Sequence, residues 1–201
     1  MENVVVSIFH IESEAFQAFS ELKQFGQTEN TKLAQASIVK AENGVVNVKD
    51  SFDLMNSLGD DYFEGGLIGS LIGILGGPLG VLFGFATGGA IGASVGSDKE
   101  LINSALITTV SKKLTNGEVA IIALVQENDE SVLNAIFEKY QVDIARWDVA
   151  TVAAEIESAL KIQKDLEHQA KARLIADKKE ARREKFDKLK ASIKEKFSKK
   201  N

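Results

Sequence analysis

The chain has 201 residues, 44% hydrophobic and 26% charged, with a single proline, which argues against a wholly disordered polymer and suits one large domain or one compact domain with appendages. It has no cysteine, which excludes disulfides, thiolate metal sites and cysteine nucleophiles. The net charge of -5 is unevenly spread: residues 1–154 hold 9 basic and 20 acidic side chains, residues 155–201 hold 15 and 9.

In chain order, residues 4–9 are a β-branched apolar run that predicts a central strand. Ser13 is placed to cap a helix in which Ala15, Phe16, Phe19, Leu22 and Phe25 recur at helical spacing, and Gly26 to close it. Residues 33–40 and 45–49 flank Glu42-Asn43-Gly44, and Asn-Gly between two strand-like runs predicts a hairpin. A second amphipathic helix follows over residues 99–114, through Leu101, Ile102, Ala105, Leu106 and Val110, and Asn116-Gly117 ends it. Residues 119–125 are all apolar, the pattern of a strand covered on both faces. A short helix over 130–140 and a fifth strand over 142–148 complete the body, the latter expected to cover the edge of the 119–125 strand.

Strand, helix, strand, strand, helix, strand is the ferredoxin-like pattern, an α+β fold with an antiparallel sheet and two helices on one face. The expected domains are therefore a ferredoxin-like body (residues 1–50 and 99–150), an insertion (51–98) and a long basic helix (151–201). That helix contains no Gly or Pro before residue 200, and Val152, Ile156, Leu160, Leu166, Ala170 and Leu174 follow roughly heptad spacing. Its end carries the stripe Phe186, Leu189, Ile193 and Phe197 among Lys185, Lys188, Lys190 and Lys194.

Within the insertion, residues 65–96 hold 12 of the 16 glycines, and residues 65–97 carry no charge. Gly65, Gly69, Gly73 and Gly77 step by four, as do Gly80, Gly84, Gly88, Gly92 and Gly96 after Pro78. On a helix such positions share one face and let another backbone approach, so the expectation is a helical hairpin of glycine-zipper type. A phosphate-binding loop is excluded by the lack of any Lys or Arg there. The two halves would be ~18 and ~27 Å long as helices, short of a ~30 Å hydrocarbon core, so two full crossings fit poorly. The hairpin is then expected either to dip into one leaflet or to pack within a soluble oligomer.

The segments VVVSIF, GLIGSLIGILGGPLGVLFGFATGGAIG and NGEVAIIALVQE are together similar to a bacterial family catalogued as a domain of unknown function. Its members carry general-stress or predicted-membrane labels. The similarity extends over about residues 3–150. It implies a ferredoxin-like domain with a glycine-zipper insertion and implies no agreed enzymatic activity.

Few residues offer chemistry. Asp60, Asp61 and Glu64 could bind a divalent cation but also suit a helix N-terminus. His10 has no nucleophile or ligand partner in the sequence, and Trp147 reads as a core or interface anchor. The body is acidic and shows no aromatic motif for RNA, so nucleic acid is not an expected partner. The N-terminus lacks the pattern of a signal peptide, which predicts a cytoplasmic protein, at most at the inner face of the membrane. The expected function is non-catalytic homo-oligomerisation, without cofactor or metal, through the glycine helices and the long helix. The alternative is a peripheral membrane protein that inserts the hairpin and lays its basic tail on anionic lipid. A third reading is a ligand-binding or enzymatic domain with its pocket between sheet and hairpin.

Overall fold

The computed structural model describes residues 1–25, 27–54, 66–77, 80 and 105–198, with backbone alone at 187, 189 and 191–198. The expected helix closure at Gly26 lies outside the described residues, as do the expected acidic cluster Asp60, Asp61 and Glu64 and residues 99–104.

Strand β1 (Glu2–Phe9) is buried from Val4 onward. Its β-branched side chains favour extended backbone and pack on both faces of the sheet. Helix α1 (Glu12–Lys23) buries Ala15, Ala18, Phe19 and Leu22, one stripe at helical spacing. It begins one residue before Ser13, which does not cap it. The extended residue Ile11 precedes the helix, its carbonyl accepts from the amides of Glu14 and Ala15, and Glu12 and Glu14 supply negative charge to the first turn.

Strands β2 (Thr31–Glu42) and β3 (Val45–Asp53) form the expected hairpin, each running further than its apolar run. Asn43 (φ 54°) and Gly44 (φ 78°) both adopt the left-handed backbone that a two-residue hairpin turn of matching twist requires. The second Asn-Gly meets the first: the Asn43 amide donates to Asn116 Oδ1 at 2.7 Å, and the Gly117 amide to the Ala41 carbonyl at 2.7 Å.

Helix α2 (Leu67–Gly76), helix α3 (Leu106–Lys113), strand β4 (Val119–Glu127), helix α4 (Ser131–Phe137), strand β5 (Val142–Asp148) and helix α5 (Val149–Ser198) follow. The molecule is thus α+β: five antiparallel strands, five helices among the described residues, and a long C-terminal helix.

The strand order is β3-β2-β4-β1-β5, which differs from the ferredoxin-like order expected. A ferredoxin-like sheet centres its first and third strands; here β4 lies between β2 and β1. Composition explains the difference. β3 carries exposed Asn47, Lys49, Asp50 and Ser51 and suits an edge, whereas Val119, Ala120, Ile121, Ile122, Ala123 and Val125 of β4 are all buried. The edge that β5 covers is that of β1, with Val5 opposite Arg146 and Phe9 opposite Val142, and not that of β4.

Helices cover both faces of the sheet instead of one. Helices α1 and α4 close a core of Val5, Phe9, Leu33, Ile38, Ile121 and Val125, in which the rings of Phe9 and Phe137 meet edge-on at 6.1 Å. On the other face α2 packs on β3, β2 and β4 and against α3, and Val110 of α3 lines a small cavity with Val6 and Ile8. Because β1 and β4 are apolar on both faces, one helical layer would leave half of their side chains in water.

The chain divides into two units, Met1–Ala159 and Leu160–Asn201. Helix α5 starts at Val149, its first turn capped by Asp148, whose Oδ1 accepts from the amides of Ala150 and Thr151. Val152, Ile156 and Ala159 are buried in the first unit.

Candidate functional site

The second unit is a helix whose described side chains are all exposed over residues 164–190. Alanine, leucine, lysine, arginine and glutamate dominate it, so its helicity follows from backbone propensity. Large apolar groups stand in water along it: Leu160 (41% exposed), Leu166 (43%), Leu174 (57%), Ile175 (68%) and Phe186 (57%). Ala170 stands four residues from both Leu166 and Leu174, so these three share one face. Near the end, Lys190 Nζ sits 4.7 Å from the centre of the Phe186 ring, and Lys185 and Lys188 are exposed beside it. The side chains of Leu189, Ile193, Lys194 and Phe197 lie outside the described residues.

Of the glycine register, Gly65, Pro78, Gly84, Gly88, Gly92 and Gly96 also lie outside the described residues. Helix α2 turns Ile68, Leu71, Ile72, Ile74 and Leu75 inward. Gly69 and Gly73 are exposed, and among the described residues nothing lies within 4 Å of where a Cβ would stand on either. Close approach occurs elsewhere. A Cβ on Gly76 would fall 2.6 Å from the Val46 carbonyl oxygen of β3, and one on Gly77 2.8 Å from the Gly73 carbonyl. At Gly80 a Cβ would collide with the Leu75 backbone. Gly76 falls outside the steps of four that the sequence pattern singles out. The doubled Gly76-Gly77 is the signal that could have found it.

Several polar groups of the first unit are engaged structurally, while Glu127 Oε2 and Ser7 Oγ are buried without a hydrogen-bond partner among the described residues. His10 is exposed, its Nδ1 3.2 Å from Glu118 Oε1, and Glu118 Oε2 accepts from the amide and hydroxyl of Thr115. Trp147, half-buried on β5, lines a cavity of only about 20 Å³ with Val6 and Val110. A cleft of about 130 Å³ lies between the hairpin turn and the end of α3, lined by Val46, Leu75, Gly80, Ser111, Lys112 and Asn116 among others.

Three groupings escape the sequence reading. The buried Glu127 carboxylate accepts from Arg146 Nε at 2.8 Å and from Asn3 Nδ2 at 3.0 Å, while Arg146 also reaches Asn134 Oδ1 at 2.6 Å. Glu155 accepts from the amides of Leu106 (3.1 Å) and Ile107 (3.3 Å), at the start of α3. Burial pushes its carboxyl above the usual range, opposed by those two hydrogen bonds. The Tyr140 hydroxyl donates to Glu21 at 2.6 Å, and burial, with that carboxylate next, pushes the phenol up to about 12. Among the described residues no three His, Asp or Glu side chains converge to hold a metal, and no helix is long and apolar enough to cross a membrane.

The sequence model of one family, described as proteins of unknown function (DUF1269), matches residues 63–167. The chain belongs to that family. The DUF1269 match takes in α2, α3, β4, α4, β5 and the start of α5. It does not reach the VVVSIF strand, and it extends past residue 150 into the long helix, so its span differs from the 3–150 expected. Neither a curated protein nor a solved structure matches the chain. The basic end of α5 lies beyond the DUF1269 span.

Proposed function

We propose that the protein is a non-catalytic, self-associating protein whose copies meet through the long helix α5, with the glycine-bearing face of α2 as a further contact. The observation that carries this reading is the row of leucines left in water along α5, above all Leu166 and Leu174 on one face with Ala170. A contiguous apolar row on a helix favours a second helix laid against it. Burying one leucine side chain contributes about 1.5–3 kcal/mol, so a few such residues from each copy suffice for association. Gly69 and Gly73 support the same reading, since an exposed face without side chains lets a neighbouring helix approach its backbone.

Light scattering after size exclusion, on the full chain in detergent-free buffer, tests this. The expected mass is a whole multiple of the chain mass. Leu166→Glu with Leu174→Glu should lower it to that of a single chain while the circular dichroism stays helical. A wild-type chain that runs as a monomer, or a double variant of unchanged mass, overturns the reading.

A further inference from the structure

We infer that the end of α5, residues 178–198, is a docking surface for anionic lipid. This inference goes beyond self-association and does not depend on it. Residues 178–198 hold nine Lys and Arg against four acids. Arg182, Arg183, Lys185, Lys188 and Lys190 are all exposed on a helix that is already formed. Among them Phe186 presents more than half of its surface to water, and its contact is with Lys190 of the same helix. The sequence continues that position as Leu189, Ile193 and Phe197, at steps of three and four residues along the helix.

Two chemistries are therefore interleaved, and the partner must satisfy both. An anionic bilayer surface offers phosphate and carboxylate groups to the basic side chains and, directly beneath them, an acyl boundary for an apolar stripe. Lysine suits this geometry because its alkyl stem can lie along the apolar region while the ammonium stays at the headgroups. A nucleic acid would take the positive charge, and a single strand could stack on the two phenylalanines, but it offers no apolar phase for Leu189 and Ile193. The acidic body of a second copy could likewise neutralise the charge, but exposed apolar side chains such as Ile11 and Val48 are single groups and not the continuous apolar phase of a bilayer. Phospholipid is the one of these partners that matches charge and stripe together.

The test is flotation of the full chain with two vesicle preparations, phosphatidylcholine alone and phosphatidylcholine mixed with phosphatidylserine, with short single-stranded RNA as competitor. Binding is expected only to the mixed vesicles. Each basic residue at such a surface strengthens binding on the order of five-fold, so Lys185→Glu, Lys188→Glu and Lys190→Glu together should weaken it by more than about 100-fold. Phe186→Ser leaves the charge intact and should still weaken binding several-fold, a loss that attraction by charge alone would not produce. Both variants should keep the wild-type circular dichroism and oligomer mass, which separates lipid docking from self-association. The inference is overturned by any of four results: no binding to mixed vesicles, equal binding to both preparations, full strength in the Phe186→Ser variant, or complete displacement by the RNA.

Discussion

At the scale of single residues, glycine does two different jobs in α2. Gly73 is exposed, with none of the described residues within 4 Å of its missing Cβ, whereas Gly76 stands where a Cβ would press on the Val46 carbonyl of β3 at 2.6 Å. A main-chain oxygen held in a hairpin cannot step aside as a flexible side-chain end can, so the helix must move instead. Gly76→Ala should therefore destabilise the protein by about 1–3 kcal/mol, the range for overpacking a well-filled contact. Gly73→Ala should stabilise the fold of the single chain by up to about 1 kcal/mol, because alanine is the better helix former and its Cβ meets none of the described residues. Urea denaturation of the two variants beside the wild type reads both effects. A Gly76→Ala variant as stable as the wild type or more so would mean that α2 does not press on β3 at Val46.

At the scale of elements, periodicity made much of the body legible and left its arrangement open. The run Val4–Phe9, the Asn43-Gly44 turn and the strand over residues 142–148 each carry their own local signal, and each element formed where that signal lies. Strand neighbours carry no such signal. Alternation tells which face is buried, but not that β4 would pair with β2 and β1 and leave β3 at an edge. The seven apolar residues of β4 did announce two covered faces, and that demand is incompatible with helices on one side only. The tie between Glu127 and Arg146 was invisible for a different reason, since partners on separate strands share no spacing rule. This tie holds β4 and β5 together across β1 and, through Asn134, holds α4 to them. The Glu127 side chain is 1% exposed and that of Arg146 14%, so removal of the cation strands a carboxylate out of water. Arg146→Ala should cost about 3–5 kcal/mol, and adding Glu127→Gln to that variant should restore part of the loss. A cost below about 1 kcal/mol in the denaturation midpoint would class the pair with solvated surface ion pairs.

At the scale of the whole chain, stability is unequally shared. Strand β4 is flanked by two strands and covered on both faces, so its amides open only when the first unit unfolds. Residues 164–190 bury no described side chain, and local hydrogen bonds and propensity support their helix. An isolated helix of that kind frays rapidly, so its amides should exchange with deuterium almost as freely as those of a peptide. Association changes this, because anything that binds only the folded helix slows its opening in proportion to how much partner is present. Hydrogen exchange at two protein concentrations then reads the contact directly. Protection over residues 160–175 should rise with concentration if copies meet along Leu160, Leu166 and Leu174, while the amides of β4 report the global limit in both samples. Protection that stays near zero in that stretch at both concentrations would mean that these leucines face water in every copy, and the association would have to be sought elsewhere on the chain.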